Sequence, residues 1–262
     1  MTAGLVSVIM PCYNDGLHIE EAINSVLEQT YSQHEIIIVN DGSTCEATLQ
    51  KLLEVEERYN IQLIHQLNAG PSAARNKGIT RARGEFILPL DADDVILPAY
   101  MEKAIEVFSR DKKTGIVYCK ASLFGLVEEL WELPEYSAQE MIWGNVIFNS
   151  AFFKKSLWTE FGGYDEELIH GNEDYDLWLR FIKNNVGVSQ IPERLFKYRI
   201  KPSSRTSKLL TLSNDALIGT SEKIYENHKD FLLSDIEYLV RRRLSLEIEA
   251  VACSRSEASL TS

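Results

Sequence analysis

The chain has 262 residues, 45% of them hydrophobic and 25% charged, with a formal net charge of −12. That length supports one large α/β core with an appendage, and the acidic balance excludes broad electrostatic binding of nucleic acid, which needs clustered Lys and Arg against phosphates. Cys12, Cys45, Cys119 and Cys253 are scattered without a CxxC pair, no apolar run reaches the roughly 18 residues of a membrane helix, and the N-terminus lacks a signal-peptide pattern, so the chain reads as cytoplasmic with reduced thiols.

The first predicted element is a buried strand, "LVSVIM" at 5–10, β-branched and stopped by Pro11. In "HIEEAINSVLEQ", Ile19, Ala22, Ile23, Val26 and Leu27 fall on one helical face. "EIIIVN" at 35–40 predicts a second strand, "ATLQKLLEVEERY" a helix and "IQLIHQ" at 61–66 a third strand. After an "NAGPS" turn at 68–72, "AARNKGITRARG" predicts a short helix ended by Gly84, and Phe86 to Leu90 the fourth strand. Met101, Ala104, Ile105 and Phe108 mark the next helix, and "GIVYC" a fifth strand. This alternation predicts an α/β fold with a mostly parallel sheet and helices on both faces, binding ligands beyond the carboxyl ends of its strands. From about 121 to 172 no period is legible, which reads as a second lobe built over the sheet. A helix returns at "EDYDLWLRFIKNN", with Leu177, Trp178, Phe181 and Ile182 as its apolar stripe, then two short strands, "VGVSQI" and "RLFKYRI". Residues 208 to 262 read as helical with a disordered Ser-rich end.

The stretch "EFILPLDADDVILP" brings Asp91, Asp93 and Asp94 within four positions. Like charges repel and are costly to desolvate, so a positive or strongly donating partner is expected opposite them. While the chain stays extended, Asp91 and Asp93 share a face, a pairing suited to a Mg2+ or Mn2+ ion that also holds substrate phosphates. Asp93 or Asp94 could equally cap a helix starting near Pro98. Asp41, in "VNDGST", could accept from a base or ribose, or serve only an Asx-turn. Tyr13 could stack on a base or fill the gap between strand and helix. Glu173 and Asp174 read on their own as helix-start acids that complement the dipole.

Together "VSVIMPCYND", "HIEEAINSVLEQTY", "EIIIVNDGST", "NAGPSAARNKGI", "RGEFILPLDADD" and "GNEDYDLWLR" resemble the family-2 inverting glycosyltransferases, in order, from residue 5 to about 205. The resemblance implies a GT-A fold and a nucleoside-diphosphate sugar donor, with UDP the favoured carrier. It implies Pro11, Tyr13 and Asp41 around the base, Arg75 near the base or diphosphate, Asp91 by the ribose or sugar, and Asp93 holding a bridging Mn2+ or Mg2+. Asp174 matches the general base, acting on a hydroxyl of a glycan or lipid-linked acceptor. On this division residues 1–120 form the nucleotide-sugar half, 121–207 the acceptor and base half, and 208–262 a helical extension. One departure is "YRIK" where many members have "YRIH". Lys201 offers no acceptor to a cation but can pair with phosphate, so a more weakly held ion is expected.

Other residues keep two readings each. His170 could contact the acceptor or sit in a loop, and Trp143 and Trp178 could stack on a sugar or pack in the core. Arg241 to Arg243 could favour the inner membrane face peripherally or form a solvated helix face. A nucleotidyltransferase would need a Gly-rich loop after the first strand, which "PCYNDG" does not supply, and neither GxGxxG nor GxxxxGK[ST] occurs. A catalytically silent nucleotide-sugar binder is the remaining rival, separable by turnover.

Overall fold

The hydrophobic runs of the N-terminal half form the parallel core of one sheet. β1 (Thr2–Cys12), α1 (Ile19–Leu27), β2 (His34–Asp41), α2 (Glu46–Arg58), β3 (Gln62–Gln66), α3 (Gly70–Arg81) and β4 (Gly84–Pro89) follow in turn, in a computed structural model that describes residues 1–202 and 214–260. β1 pairs in parallel with both β2 and β4, and β2 with β3. Consecutive residues such as Val8, Ile9 and Met10, or Ile36 through Val39, are buried. Both faces of these strands are covered, which is why the sequence shows continuous apolar runs rather than alternation.

The C-terminal half extends the same sheet. β5 (Val95–Ile96), α4 (Tyr100–Arg110), β6 (Thr114–Gly125), β7 (Glu129–Trp131), α5 (Ala138–Trp143), β8 (Phe152–Lys154), α6 (Lys155–Phe161), α7 (Glu173–Ile182) and β9 (Gly187–Ile200) are followed by α8 (Asn214–Leu232) and α9 (Ile236–Leu260). The sheet order is β3-β2-β1-β4-β8-β6-β9-β5, with β7 beside β6. β8 runs antiparallel between β4 and β6, β9 is parallel to β6, and β5 is antiparallel to β9. α8 packs on α7, and α9 on α5.

Several expectations change. Within residues 121–172, β6 continues to Gly125, and β7 and β8 join the sheet itself. Strands of three residues are too short to show a period; Trp131 of β7 packs on Phe148, and Phe153 of β8 on Trp178 and Phe181. The two short C-terminal strands are one, β9, whose register slips where Ile191 meets Cys119 and Arg194 meets Lys120. Pro192, which has no N–H to give the ladder, falls in that irregularity. α3 begins at Gly70 inside the expected turn, with Pro71 in its first turn, and ends at Arg81, so that Gly84 opens β4 instead of closing the helix. Leu27 is 45% exposed at the end of α1, and Trp143 is 42% exposed, whereas Trp178 is core. α9 stays helical to Leu260 where a disordered end was expected. Arg241 and Arg243 each pair with a glutamate one turn away, the solvated-face arrangement. The boundary drawn at 207 lies outside the described residues. Among those described, no helix is long and apolar enough to cross a membrane.

α3 packs on β1 and β2, and Gly78 makes the close approach possible: a Cβ there would sit 2.5 Å from Ile9 Cγ2 and 3.2 Å from Val39 Cγ2. Both neighbours are β-branched and buried, with little freedom to move. Alanine in a helix interior gains up to about 1 kcal/mol over glycine, but overpacking a tight core costs about 1–3 kcal/mol. Gly78→Ala is therefore expected to destabilise the fold by about 1 kcal/mol in urea unfolding followed by circular dichroism. A gain in stability would show that α3 does not sit this close.

Candidate active site

Three parallel strands end at one edge, and the loops beyond them carry the candidate residues. After β2 the chain reverses at Gly42, whose φ of +72° excludes a side chain, as does the space beside it: a Cβ there would sit 2.5 Å from the Asn68 nitrogen. The reversal turns the Asp41 carboxylate onto the start of α3. Its Oδ1 accepts from Gln66 Nε2 at 2.8 Å and the Ala69 N–H at 2.9 Å, and its Oδ2 from the Gly70 N–H at 2.9 Å. Asp41 thus supplies the cap that Ala69 cannot, in place of a local Asx-turn. Three of about four acceptor positions are used, leaving one for a ligand. Tyr13 does not fill the gap between β1 and α1: it is 49% exposed. Its loop follows the half-buried Pro11 and is fixed by Asn14, whose Oδ1 accepts from the N–H groups of Thr44 and Cys45, both at 2.8 Å.

β4 stops at Pro89 and the acidic stretch turns, the Asp94 N–H donating to the Asp91 carbonyl at 3.1 Å. The extended chain that would have aligned Asp91 with Asp93 is absent, and the carboxylates diverge to separate partners. Asp91 Oδ1 accepts from Arg75 Nη2 at 2.7 Å, Asp93 Oδ2 pairs with Lys201 Nζ at 2.8 Å, and Asp94 Oδ1 accepts from the Arg199 N–H at 2.9 Å. Neither Asp93 nor Asp94 caps α4, which starts at Tyr100 after Ala99 with no side-chain cap. Burial, and then the charges of Asp93 and Asp91, push Asp94 well above the ordinary carboxyl range.

Arg75, 3% exposed, joins this turn to α7. Its second arm, Nη1, donates to Glu173 Oε1 at 2.7 Å, and its guanidinium lies 5.4 Å from the Tyr164 ring centroid. α7 starts after Asn172, held at φ +62°, with Glu173, Asp174 and Asp176 in its first turn. Asp174 Oδ2 accepts from Asn145 Nδ2 at 3.1 Å, and Oδ1 from the Tyr175 N–H at 2.8 Å. Burial, reinforced by the adjacent Glu173 charge, pushes the Asp174 carboxyl up to about 7. A cleft of about 440 Å³ is lined by Arg75, Asp91 and Asp174 with an aromatic wall of Trp131, Phe148 and Tyr198; His170 and Asp94 also face it.

The fold therefore brings Arg75, Asp91 and Asp174 to one cleft, while Pro11, Tyr13, Asp41, Asp93 and Lys201 lie outside its lining. Sequence reasoning missed Trp131 and Asn145, which sit in segments without a period, and the Arg75–Glu173 pair, whose members are 98 positions apart. It also missed Asp15, which with Asp93 flanks Lys201.

The cation implied by the resemblance would be held by carboxylate oxygens, donors that suit Mg2+ or Mn2+. Here Asp93 gives Oδ2 to Lys201, Asp15 gives Oδ2 to the same ammonium, and Asp91 gives Oδ1 to Arg75. Burial works against charge on Lys201, but pairing with Asp15 and Asp93 outweighs it and raises the pKa above the ordinary lysine value. An ammonium has three donors and no lone pair. Among the described residues no three His, Cys, Asp or Glu side chains are grouped to hold an ion. So arranged, the donor set does not fit a metal held on Asp93.

Residues 7–161 match the family described as Glycosyl transferase family 2. An uncharacterized glycosyltransferase of Methanocaldococcus jannaschii is 30% identical over 247 residues, covering 88% of this chain and 83% of that protein. The chondroitin synthase of Pasteurella multocida is 28% identical over 181 residues, which are 67% of this chain but 18% of the synthase. Among solved structures, S. aureus TarS in complex with UDP-GlcNAc superposes with a TM-score of 0.71 at 20% identity, covering 85% of this chain and 66% of that one. Mannosyltransferase PcManGT from Pyrobaculum calidifontis, in complex with GDP-Man and Mn2+, gives 0.63 at 19% identity, covering 97% and 79%. These likenesses identify the fold as GT-A.

Removing one partner of a buried ion pair costs about 3–5 kcal/mol, because the other charge is left uncompensated. Arg75→Met removes the guanidinium paired with Glu173, whose side chain is 7% exposed, and a loss in that range is expected in urea unfolding followed by tryptophan fluorescence. Arg75→Lys should recover little, since one ammonium cannot reproduce a fork that reaches two carboxylates. Wild-type stability in Arg75→Met would remove the bridge from its structural role.

Proposed function

We propose a single-displacement sugar transfer for this chain, which belongs to glycosyl transferase family 2 and is a glycosyltransferase. The donor is a nucleoside-diphosphate sugar, with UDP as the favoured carrier, and the acceptor is a hydroxyl of a glycan or lipid-linked sugar. The observation that carries the reading is the shared cleft: Asp174, at the start of α7, opens onto the same space as Asp91 and Arg75 at the end of β4.

The donor lies along the carboxyl edge of β1, β2 and β4, where open α/β sheets take ligands. Its base sits against Tyr13 and Pro11 and uses the remaining acceptor position of Asp41. The diphosphate lies towards Lys201, and the sugar enters the cleft beside Asp91 and Arg75. The aromatic wall of Trp131, Phe148 and Tyr198 suits the apolar C–H face of an acceptor sugar ring. The bound nucleotides of the two structural neighbours, UDP-GlcNAc in TarS and GDP-Man in PcManGT, support a nucleotide-sugar donor.

In the reaction Asp174 takes the proton of the acceptor hydroxyl. The hydroxyl oxygen attacks the anomeric carbon from the face opposite the diphosphate. The anomeric C–O bond to phosphate breaks with its electron pair leaving on the nucleoside diphosphate, and configuration inverts. General-base help of about 10²–10⁴-fold is the expected scale. An aspartate raised to about 7 is a competent base at neutral pH, where an ordinary carboxylate is much weaker. The divalent cation implied by the sequence resemblance has no step in this mechanism.

Release of nucleoside diphosphate from a panel of UDP- and GDP-sugars tests the assignment, and no turnover of any donor would favour a silent binder. Asp174→Asn is expected to keep nucleotide binding and lose about 10²–10⁴-fold in transfer or more. Because only the ionised carboxylate accepts a proton, the wild-type rate should fall below a pH of about 7 and level off above it. Glu173→Gln removes the neighbouring charge that helps raise Asp174, so its acid limb should move to lower pH; an unmoved limb would assign the titration to another group.

A further inference from the structure

We infer that the Lys201 ammonium is the resident cation of the donor site and that nucleotide binding here requires no divalent metal. The inference rests on the sugar-nucleotide reading of the carboxyl edge. Lys201 follows β9 and reaches back to two aspartates that follow β1 and β4, Asp15 and Asp93, 186 and 108 positions earlier in the chain. Its side chain is 18% exposed and Asp93 is 16%, so this pair is drawn well out of water, while Asp15 is 31% exposed. One ammonium between two carboxylates leaves a net charge of −1. Exchanging the more exposed Asp15 for a diphosphate oxygen keeps Lys201 charge-paired and satisfies it with a stronger acceptor set. Arg199 lies nearby, with its charge already met by Glu21: its Nη2 pairs with that carboxylate, its Nε donates to the Asp93 carbonyl at 2.8 Å, and its guanidinium lies 4.1 Å from the Phe124 ring centroid. A divalent ion on Asp93 would stand beside this ammonium and be repelled by it.

The charge arithmetic gives variants of opposite sign. Lys201→Ala changes the trio from −1 to −2, and Asp15→Asn changes it to 0. Calorimetric titration of UDP and of GDP into the full chain, in EDTA and in MnCl2, reads these out. For whichever nucleotide binds, wild-type affinity should be the same within about threefold in both buffers. Lys201→Ala should weaken binding about tenfold or more in EDTA, on the scale of a lost charge-assisted hydrogen bond, and Mn2+ should restore it by occupying the freed Asp15 and Asp93 oxygens. Lys201→His, which supplies a ring nitrogen as ligand, should behave in the same Mn2+-dependent way. Asp15→Asn should bind at least as tightly as wild type in EDTA, an outcome that misfolding cannot imitate. Wild-type binding that requires Mn2+, or Lys201→Ala binding as well as wild type in EDTA, would overturn the inference and leave the transferase reading standing. Failure of both nucleotides to bind wild type in either buffer would overturn both.

Discussion

The guanidinium of Arg75 spans Asp91, in the turn after β4, and Glu173, in the first turn of α7, with 2.7 Å contacts on both sides. A cation this deeply buried is tolerable only where each arm finds a carboxylate, and a carboxylate as buried as Glu173 only where it finds a cation. The three groups therefore fix one another. Because Asp91 belongs to the parallel core and Glu173 to the C-terminal half, their common partner sets the distance between the donor edge and the proposed base. The Tyr164 ring lies 5.4 Å from the guanidinium and adds a cation–π contact to the bridge.

Two acids of α7 show how direction along a helix decides chemistry. Asp174 and Asp176 are two residues apart, about 200° around the axis. Asp174 turns to the cleft, where burial and Glu173 raise its pKa. Asp176 turns to α8, where burial opposes its charge but the hydrogen bond from His228, Arg180 and Asn227 together bring it below the ordinary value. His228 Nε2 lies 2.7 Å from Asp176 Oδ1, and both side chains are almost fully buried. The first acid stays available for proton transfer, and the second anchors the helix that presents it. Lys223 of α8 pairs in addition with Asp165 and Glu167, in the loop before α7. The C-terminal extension thus braces the segment that carries the base.

The acidic turn follows a related rule. Three aspartates in four positions demand compensation, and the chain provides it one partner at a time, from α3 and from the far end of β9. No shared ion is needed to keep the turn folded. What the turn offers a substrate is then set by which partners can exchange, and the half-buried Asp15–Lys201 contact is better placed for that than the buried Arg75–Glu173 pair.

Much of the fold was legible in the sequence because its evidence is local. Continuous β-branched runs at 5–10 and 35–40, and the apolar stripes of α1, α4 and α7, report burial and period within a few residues of themselves. Six ordered motifs were enough to imply the family. Where elements shrink to three residues, as in β7 and β8, no period can form, and the cleft wall of Trp131 and Phe148 stayed hidden. The shared face of Asp91 and Asp93 was conditional on an extended chain, and β4 ends at Pro89. Which donor each aspartate meets, which acid of α7 faces the cleft, and that a lysine stands between Asp15 and Asp93 were decided by tertiary structure alone. These are contacts between residues tens to nearly two hundred positions apart, whose energies depend on a distance and a desolvation that no local pattern encodes.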